Sequence, residues 1–351
     1  MELRVDLKKE LGIFSFAANF TIQGDALGIF GPSGSGKSTL VKLISGLHQP
    51  DSGVIIIDGE TLFDSSKRLS VPVEERRIGM VFQHPHLFPH LSVKRNLLYG
   101  YRRCPSKHRK IELADLIDVL EIGHLLDRGV YNLSGGEKQR VSIGRTVLSN
   151  PRLLLMDEPL SALDDSLKFQ IISYLKSVSK RFKIPYLFIS HSLVEMRLMS
   201  DQVLVVENGG ISDQMSTEQL ALSRMGQSLT GYINILELKD PQLRDELCAY
   251  PWGDGELLIS AGNGQAGSLF ELSSRDIILL RGFPHAISAR NLLKCTVADT
   301  FPSGRRLGVK LDCGGEHLVA EVTLPAAREL MIEKGSELYA AVKASSFRRM
   351  V

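Results

Sequence analysis

The sequence predicts an α/β domain followed by a smaller β-rich domain. Two apolar runs in the first part of the chain each lead into polar residues: ALGIF (26–30) precedes a glycine-rich loop, and LLLMD (153–157) precedes a second carboxylate. In the last third, short runs with alternating apolar residues are typical of strands joined by tight turns. The 351 residues, 43% of them hydrophobic, are enough for two or three domains with buried cores.

Composition argues against several classes of protein. The net charge of +2 is too small to indicate a nucleic-acid partner, and we expect the basic run RRCPSKHRK (102–110) to be a solvated helix face or loop. The chain begins without the apolar segment of a secretory signal and contains no run of about 18 apolar residues, as a membrane span requires. Its four cysteines form no C-x-x-C pair, so we expect neither a zinc site nor a disulfide framework, which suits a reducing cytosol: Cys104, Cys248, Cys295 and Cys313.

The loop GPSGSGKST (31–39) fits the pattern G-x-x-x-x-G-K-[ST]. Glycines let a backbone wrap around phosphates, and the amino end of the following helix adds a positive dipole. We expect Lys37 to reach the β- and γ-phosphates of a nucleotide and the Ser38 hydroxyl to ligate Mg²⁺. A glycine- and serine-rich surface turn is the alternative, but a predicted strand before the loop and helical apolar spacing after it disfavour that reading. The predicted ATP-binding residues here are Gly31, Pro32, Ser33, Gly34, Ser35, Gly36, Lys37, Ser38 and Thr39.

The second apolar run ends in two adjacent carboxylates, Asp157 and Glu158. Ligands of an α/β sheet bind at the carboxyl ends of its parallel strands, so an acidic pair at this place is well situated for phosphate chemistry. We expect Asp157 to support Mg²⁺ and Glu158 to polarise the attacking water. On its own the pair could equally be a helix N-cap, and the glycine-rich loop is what favours catalysis.

Between the two motifs lies LSGGEKQR (133–140), which resembles the signature motif of ABC-transporter ATPases. The rest of that family's set follows in order. Gln83 in VFQ resembles the Q-loop glutamine, SALD (161–164) the D-loop, and His191 in FISHS the switch histidine. The resemblance spans about residues 1–212 and implies an ABC ATPase domain with a helical subdomain at about 84–150.

The resemblance also implies roles for these residues in a homodimer. Each ATP is enclosed between the glycine-rich loop of one subunit and the signature of the other, so Ser134, Gly135 and Gly136 act in trans, with Asp164 also at the nucleotide. Glu158, His191 and Gln83 are then the predicted catalytic residues. The predicted ligands of Mg²⁺ are Ser38, Gln83 and Asp157.

Two features of the first domain stay open from the sequence. In this family an aromatic side chain stacks on adenine, and both Phe14 and Phe16 lie in the right region, but either could be an alternating core residue of a strand, so the contact is unassigned. After the Q-loop glutamine, Ser92 is a predicted N-cap for a helix from Val93 to Gly100. In ABC importers this surface receives a helix of the membrane subunit, and Phe88 and Leu91 are either contacts for that helix or core residues.

The last third predicts a connector at 213–230, a β-rich segment at 231–285 and a final domain at 286–351. Leu307, Val309 and Leu311 alternate before the turn at 313–315, and apolar residues alternate again from Leu318, which predicts a hairpin with one buried face. Short strands of this kind favour a small OB-type barrel.

Three stretches of this final domain, SARNLL (288–293), VAEVT (319–323) and VKASS (342–346), resemble the motifs of mop domains, which bind molybdate and tungstate. Hydroxyls, backbone N–H groups and cations are suitable donors for a tetrahedral oxyanion. From residue chemistry alone, serines that cap turns and a solvated lysine remain an alternative. The predicted oxyanion-binding residues are Ser288, Arg290, Asn291, Lys343, Ser345 and Ser346.

Together the resemblances imply the ATPase subunit of a molybdate or tungstate importer. Such a subunit works as a homodimer beneath membrane permease subunits, peripheral to the cytoplasmic face of the inner membrane, and receives substrate indirectly from a periplasmic or external binding protein. The β-rich domain would regulate it by binding the oxyanion. An importer ATPase for another anion or a sugar, and a soluble ABC ATPase or oxyanion sensor, are the alternatives. No nucleic-acid partner is expected.

Overall fold

The protein is described by a computed structural model that covers residues 1–228, 230–260, 268–284 and 286–350. The chain divides into two compact units, Met1–Leu220 and Ala221–Val351. The division falls within the predicted connector at 213–230. Among the described helices, none is long and apolar enough to cross a bilayer.

The first unit is an α/β domain. Its strands are β1 (Glu2–Leu11), β2 (Phe14–Gln23), β3 (Ala26–Phe30), β4 (Ser52–Ile57), β5 (Glu60–Asp64), β6 (Leu69–Ser70), β7 (Ile78–Phe82), β8 (Leu153–Asp157), β9 (Tyr186–Ile189), β10 (Gln202–Glu207) and β11 (Gly210–Ser216). Its helices are α1 (Lys37–Ser45), α2 (Val93–Arg103), α3 (Leu113–Leu120), α4 (Gly135–Val147), α5 (Asp165–Phe182) and α6 (Leu193–Met199), and α7 (Thr217–Arg224) crosses into the second unit.

All of these strands belong to one sheet, in the order β6-β5-β4-β1-β2-β11-β10-β3-β9-β8-β7. The strands β10, β3, β9, β8 and β7 pair in parallel, and the strands at the β6 end pair antiparallel. The central parallel strands are almost entirely apolar because both of their faces are covered. Parallel pairing brings the carboxyl ends of β3, β9, β8 and β7 to one edge of the sheet.

The helices α2, α3 and α4 lie between β7 and β8 in the chain, within the predicted helical subdomain. As predicted, α2 begins after Ser92, whose side chain accepts a hydrogen bond from the Arg95 N–H group (3.4 Å). The helix continues to Arg103, three residues beyond its predicted end. A Cβ atom on Gly144 of α4 would lie only 2.8 Å from Leu97 and 3.1 Å from Leu120, so glycine allows these helices to approach closely.

A buried arginine fastens the carboxyl end of α1. Arg76 is 2% exposed, and its Nη1 donates to the carbonyls of Leu43 (3.2 Å) and Ile44 (2.9 Å), while Nε donates to the carbonyl of Val71 (2.9 Å). Burial lowers the pKa of Arg76 from its ordinary value. The last carbonyls of a helix lack intrahelical partners and carry partial negative charge, so a cation is a favourable cap. Arg76 therefore positions the helix that follows the glycine-rich loop.

The second unit is mostly β-structure around one core. Its elements are β12 (Ile233–Leu238), β13 (Gln242–Arg244), β14 (Leu247–Trp252), β15 (Gly255–Ile259), β16 (Ser268–Ser273), β17 (Ile278–Leu280), β18 (Asn291–Ser303), β19 (Arg306–Cys313), β20 (Glu316–Thr323), α8 (Leu324–Glu329), β21 (Glu337–Val342) and β22 (Arg348–Arg349). The strand orders within its three sheets are β12-β16-β22, β13-β14-β15 and β17-β21-β18-β19-β20.

The predicted hairpin is confirmed as β19 and β20. Leu311 pairs with Leu318, and Val309 pairs with Ala320; all four side chains are buried. The next residue along β20, Glu321, is also buried. Three groups on other segments satisfy its carboxylate: Arg275 Nε at 2.6 Å, Arg306 Nη1 at 3.5 Å and the Ser303 hydroxyl at 2.9 Å.

The expectation that the cysteines are unpaired is wrong for two of them. Cys295 and Cys313 form a disulfide with Cα atoms 4.4 Å apart, whereas Cys104 and Cys248 are buried thiols. The two partners lie opposite each other on β18 and β19, one position beyond the pair Thr296 and Asp312. Strand register, including a shift after Val297, brings them together, and the separation of 18 residues in the sequence does not reveal it.

We expect the substitution Arg76→Met to lower the free energy of unfolding by about 2–4 kcal/mol, because it leaves the carbonyls of Val71, Leu43 and Ile44 buried without a donor. Chemical denaturation of both variants measures this. The matched control is Arg4→Met on the exposed face of β1, for which a change within about 0.5 kcal/mol is expected. Equal stability of the two variants would contradict the proposed role of Arg76.

Candidate functional site

Four predicted motifs meet at the carboxyl edge of the parallel strands. The glycine-rich loop follows β3, Asp157 ends β8 and Glu158 follows it, His191 follows β9 and Gln83 follows β7. Since these strands are neighbours in the sheet, residues up to 160 positions apart in the chain come together. The cavity there has a volume of about 360 Å³ and is lined by Phe14, Ser33, Gly34, Gly36, Lys37, Ser38, Thr39, Gln83, Asp157 and Glu158.

The loop depends on glycine at the points where it turns. Gly34 and Gly36 have φ angles of +79° and +111°, which side chains rarely adopt. A Cβ atom on Gly36 would also lie 2.6 Å from the ring of Phe16, and one on Gly31 would lie 2.1 Å from the carbonyl oxygen of Val206. These close approaches fold the loop tightly over the start of α1, whose first N–H groups face a bound phosphate in loops of this kind.

Lys37 is the first residue of α1 and only 5% exposed. Its ammonium group donates to the carbonyls of Gly31 (2.9 Å) and Pro32 (2.8 Å) and lies 4.0 Å from Glu158 Oε1. Burial lowers the pKa of Lys37 from its ordinary value, and the nearby carboxylates of Glu158 and Asp157 oppose that shift. A cation held in this way is suited to bind the phosphates of a nucleotide.

Ser38 and Asp157 form the second contact of the site. The Ser38 hydroxyl donates to Asp157 Oδ1 at 3.0 Å. Burial raises the pKa of Asp157, and the hydrogen bond from Ser38 opposes that shift. Oxygen ligands suit Mg²⁺, which also offsets the cost of a buried carboxylate, so these two residues fit the ion.

Glu158 and His191 are paired beside this contact. The distance from His191 Nδ1 to Glu158 Oε2 is 3.6 Å, and His191 is 62% exposed. Glu158 has a φ of +46°, a conformation that residues other than glycine seldom adopt and that is found at functional sites. The backbone turn aims the Glu158 carboxylate into the cavity, between the Lys37 ammonium and the imidazole.

The structure distinguishes the two aromatic residues that the sequence left open. Phe16 is completely buried in the core of the first unit, whereas Phe14 is partly exposed and lines the cavity. The two side chains lie on the same face of β2, but Phe14 is at the end of the strand, beside the cavity, and the identity of the residues does not reveal which of them is exposed. Phe14 is thus the aromatic side chain available to an adenine base.

The signature residues lie apart from this cavity. Ser134 and Gly135 are exposed at the start of α4, and Gly136 is buried. Ser134 Oγ accepts from the Glu137 N–H group (3.3 Å), and the Glu137 carboxylate accepts from the Ser134 N–H group (2.7 Å), which lowers the pKa of Glu137. Asp164 caps α5 by accepting from the Leu167 N–H group (3.0 Å). The residues that the resemblance places in trans therefore do not line the cavity of their own chain.

The side-chain amide of Asn96 holds the backbone of the segment that is predicted to contact a membrane subunit. The side chain of Asn96 accepts from the Phe88 N–H group (2.9 Å) and donates to the carbonyls of Phe88 (3.1 Å) and Leu91 (3.2 Å). Both Phe88 and Leu91 are half-buried. The Phe88 ring packs against Tyr99 with centroids 4.3 Å apart.

The predicted oxyanion residues collect near one end of the pair β18 and β21. Asn291 pairs with Val342, so the SARN stretch ends beside the start of the KASS stretch. Ser288, Arg290, Lys343 and Ser345 are exposed there. Donors suited to an oxyanion are therefore exposed on both stretches, next to the point where β18 and β21 pair.

Asn291 and Ser346 differ from the other members of this set. The buried Asn291 amide accepts from the Leu258 N–H group (2.7 Å) and donates to the carbonyls of Leu258 (2.9 Å) and Val342 (3.2 Å), so it joins β15, β18 and β21. This use favours a positioning role for Asn291. Ser346 lines a cavity of about 300 Å³ together with Arg275 and Arg348, without the other predicted oxyanion residues.

Comparison with known proteins gives the family. The ABC transporter family model matches residues 17–161, and the TOBE domain model matches residues 287–348. The molybdenum import ATP-binding protein ModC of Rhizobium meliloti (strain 1021) is 39% identical over 354 residues, which cover 98% of each chain. The protein of the same name from Mannheimia succiniciproducens is 38% identical over 354 residues, which cover 99% of each chain. The chain belongs to the ABC transporter ATP-binding proteins of the molybdenum import type.

Solved structures agree with this ABC ATPase fold. The cbiO1 protein of Clostridium perfringens, part of the transporter complex cbiONQ, matches with a TM-score of 0.55 and 25% identity, over 65% of this chain and 95% of its own. The ATP-binding cassette MJ0796, solved as a dimer bound to ADP and Pi, matches with a TM-score of 0.50 and 27% identity, over 62% of this chain and 99% of its own. Members of this family bind ATP, which agrees with the prediction for the cavity.

We expect Phe14→Ala to weaken ATP binding by roughly 5- to 100-fold, since stacking on an aromatic ring contributes about 1–3 kcal/mol per base. Phe14→Trp should retain the affinity. Titrations with ATP and with inorganic tripolyphosphate, which has no base, measure the effect. The control is Ile13→Ala at the fully exposed neighbouring position. Equal losses for ATP and tripolyphosphate would show that Phe14 supports the loop and does not contact the base.

Proposed function

We propose that this chain is the ATP-hydrolysing, energy-coupling subunit of an importer for molybdate or tungstate. The observation that carries the proposal is the meeting of Lys37, Ser38, Asp157 and Glu158 in one cavity of a chain whose relatives, aligned over nearly its whole length, are named molybdenum import ATP-binding proteins. An importer ATPase for another anion or a sugar is the runner-up. The mop-like stretches in the second unit favour an oxyanion.

In the proposed hydrolysis step, Glu158 orients and polarises the water that attacks the γ-phosphate. Lys37 stabilises charge on the β- and γ-phosphates, and His191, 3.6 Å from Glu158, orients that carboxylate and can contact the phosphate. Ser38, Asp157 and Gln83 would hold Mg²⁺. When bound, the ion neutralises charge that develops on the phosphate oxygens.

We further propose that the active form is a homodimer with two composite sites. The exposed amino end of α4, with Ser134 and Gly135, would contact the γ-phosphate bound by the partner, because N–H groups at a helix start bind anions. Asp164 would lie near the same interface. ATP would then join the subunits and its hydrolysis would let them separate, and that cycle would drive a membrane permease bound near Phe88 and Leu91 on the cytoplasmic face.

The second unit is proposed to bind the transported oxyanion and to report its accumulation. Arg290 and Lys343 supply positive charge on the surface where the SARN and KASS stretches meet, and Ser288 and Ser345 supply hydroxyls. Ser346 and the positioning residue Asn291 complete the set. A bound oxyanion can shift the conformational equilibrium of the ATPase only by as much as its affinity differs between two conformations. We propose that it binds more tightly to the conformation with low ATPase activity.

The substitution Glu158→Gln removes the carboxylate while keeping the size of the side chain. We expect ATP binding to be retained and turnover to fall by about 100-fold or more, with an ATP-bound dimer accumulating. Steady-state ATPase assays and size-exclusion chromatography with ATP measure this, with the exposed Glu74→Gln as control. Near-normal hydrolysis by Glu158→Gln would remove Glu158 from the mechanism.

Mixing two inactive variants tests the action in trans. Subunits with Ser134→Arg should lose activity, as should subunits with Lys37→Ala, but their heterodimer retains one intact composite site. We therefore expect part of the ATPase activity to return on mixing. Activity that does not return, together with rates linear in enzyme concentration down to high dilution, would contradict the composite site.

Lys343→Ala and Ser346→Ala test the oxyanion site. We expect both to weaken molybdate binding in calorimetric titrations and to relieve molybdate inhibition of the intact transporter, with basal ATPase activity unchanged because the nucleotide cavity is untouched. Lys310→Ala, exposed on β19, is the matched control, and tungstate and sulfate test selectivity. A flat ATPase response to molybdate in a transporter that binds it would overturn the proposed feedback.

A further inference from the structure

A second cavity of about 450 Å³ opens at the edge of the sheet opposite the nucleotide cavity. Arg77 lies immediately before β7, Arg152 before β8 and Pro185 before β9, and all three line the cavity. The parallel strands between the two edges are four or five residues long, or about 13–16 Å at roughly 3.3 Å per residue. A ligand in this cavity would therefore not contact the nucleotide.

Basic side chains dominate the charge of this cavity. Arg77, His108, Lys110, Arg152 and Lys183 line it. The pKa of His108 is lowered by burial and further by the positive charges of Arg77, Lys107 and Lys110. The basic run, expected to be only a solvated surface, therefore contributes two residues to a shared pocket.

The two carboxylates in the lining are engaged with the start of β1. Asp58 Oδ1 accepts from the Glu2 N–H group at 2.7 Å, and Asp25 Oδ1 lies 3.2 Å from the Met1 nitrogen. Among the ion pairs of the described residues, neither carboxylate is paired with an arginine or lysine of the pocket. Arg152 is paired with Glu60, so the excess positive charge of the pocket comes from Arg77, Lys110 and Lys183.

Both arginines keep buried donors without a partner. Arg77 Nη2 donates to the Asn150 carbonyl (3.2 Å), and Arg152 Nη1 donates to Glu60, but Arg77 Nε, Arg152 Nε and Arg152 Nη2 are buried and meet no acceptor among the described residues. These nitrogens have almost no accessible surface, so a ligand in the cavity would not contact them directly. The two guanidinium groups instead contribute positive charge to the wall of the pocket.

Side-chain hydrogen bonds from a buried asparagine hold the segments that line the pocket. Asn150, 4% exposed with a φ of +53°, accepts through Oδ1 from the N–H groups of Lys110 (2.6 Å) and Ile111 (3.0 Å), and its Nδ2 donates to the Leu148 carbonyl (3.0 Å). This amide ties the end of the basic run to the segment between α4 and β8. It therefore fixes Lys110 at the pocket beside the two arginines.

The remaining wall is apolar. Phe182 and Pro185, both half-buried, line it together with the buried residues Pro151 and Ile184. A bare inorganic anion would use only the basic side, whereas a ring or short carbon chain beside the anionic group would also cover this wall. The volume lies within the range of small-molecule sites.

We propose that this pocket binds a phosphorylated organic small molecule, with its phosphate beside Arg77 and Lys110 and its carbon portion against Phe182. Guanidinium groups match phosphate oxygens in geometry and charge, and an apolar wall adds affinity for an ester over free phosphate. The site is independent of the oxyanion surface in the second unit. It would bind its ligand whether or not the chain imports molybdate.

Calorimetric titration of the full chain with phenyl phosphate tests the proposal. We expect Lys110→Gln and Arg77→Gln to weaken binding by about tenfold or more, because each removes a charge-assisted contact. Lys107→Gln, exposed in the same basic run but outside the pocket, should bind as the wild type does. Lys110 is also exposed, so Lys110→Gln should keep the fold and the basal ATPase activity even if Arg77→Gln does not.

Two comparisons locate the probe. Lys37→Ala, which disables the nucleotide loop, should leave phenyl phosphate binding unchanged. If Lys37→Ala loses phenyl phosphate binding while Lys110→Gln retains it, the probe binds in the nucleotide site and the proposal is overturned. Inorganic phosphate should bind about tenfold more weakly than phenyl phosphate, and Phe182→Ala should remove that difference. Equal affinity for both probes in the wild type would overturn the assignment to an organic phosphate, and absence of binding would overturn the site.

Discussion

The parallel pairing of β3, β9, β8 and β7 is the constraint on which the rest of the first unit depends. It gives the sheet two chemically different edges. At the carboxyl edge, the glycine-rich loop, the acidic pair and His191 meet although the sequence separates them widely. At the amino edge, the residues that precede the same strands form the basic pocket. A slip of one strand by a single residue would displace groups at both edges and turn its apolar side chains to the other face.

The sequence predicts the parts of this arrangement that depend on local pattern. The strand at 26–30, the helix after Ser92 and the hairpin of β19 and β20 each follow from spacing and capping residues, and the structure confirms them. The residues of the nucleotide cavity could be named because glycine, lysine and paired carboxylates have few other uses at the ends of apolar runs. Their proposed roles in hydrolysis remain predictions.

Features set by distant register could not be predicted in this way. Cys295 meets Cys313 only because β18 and β19 pair with one particular offset, and no pattern near either cysteine indicates it. Phe14 and Phe16 are the same residue type two positions apart on one face of β2, and only the fold shows that Phe14, at the end of the strand, stays partly exposed at the cavity. By composition, the basic run is like any solvated cluster of charges. Its end is anchored by Asn150, which lies forty residues later in the chain, and the run itself does not indicate that contact.

The buried carboxylate of Glu321 couples positions that look independent along the chain. Its charge is compensated jointly by Arg275 and Arg306, with the hydroxyl of Ser303 as a further donor, from three separate segments. Removing only the acid or only an arginine leaves a charge without its partner and lowers the stability of the fold. Replacing the whole group with apolar residues of similar volume can leave the stability nearly unchanged. Substitutions at these positions should therefore depend on one another in evolution. Relatives that lack the acid at 321 should accept many residue types at 275 and 306, whereas relatives that keep it should retain basic residues there.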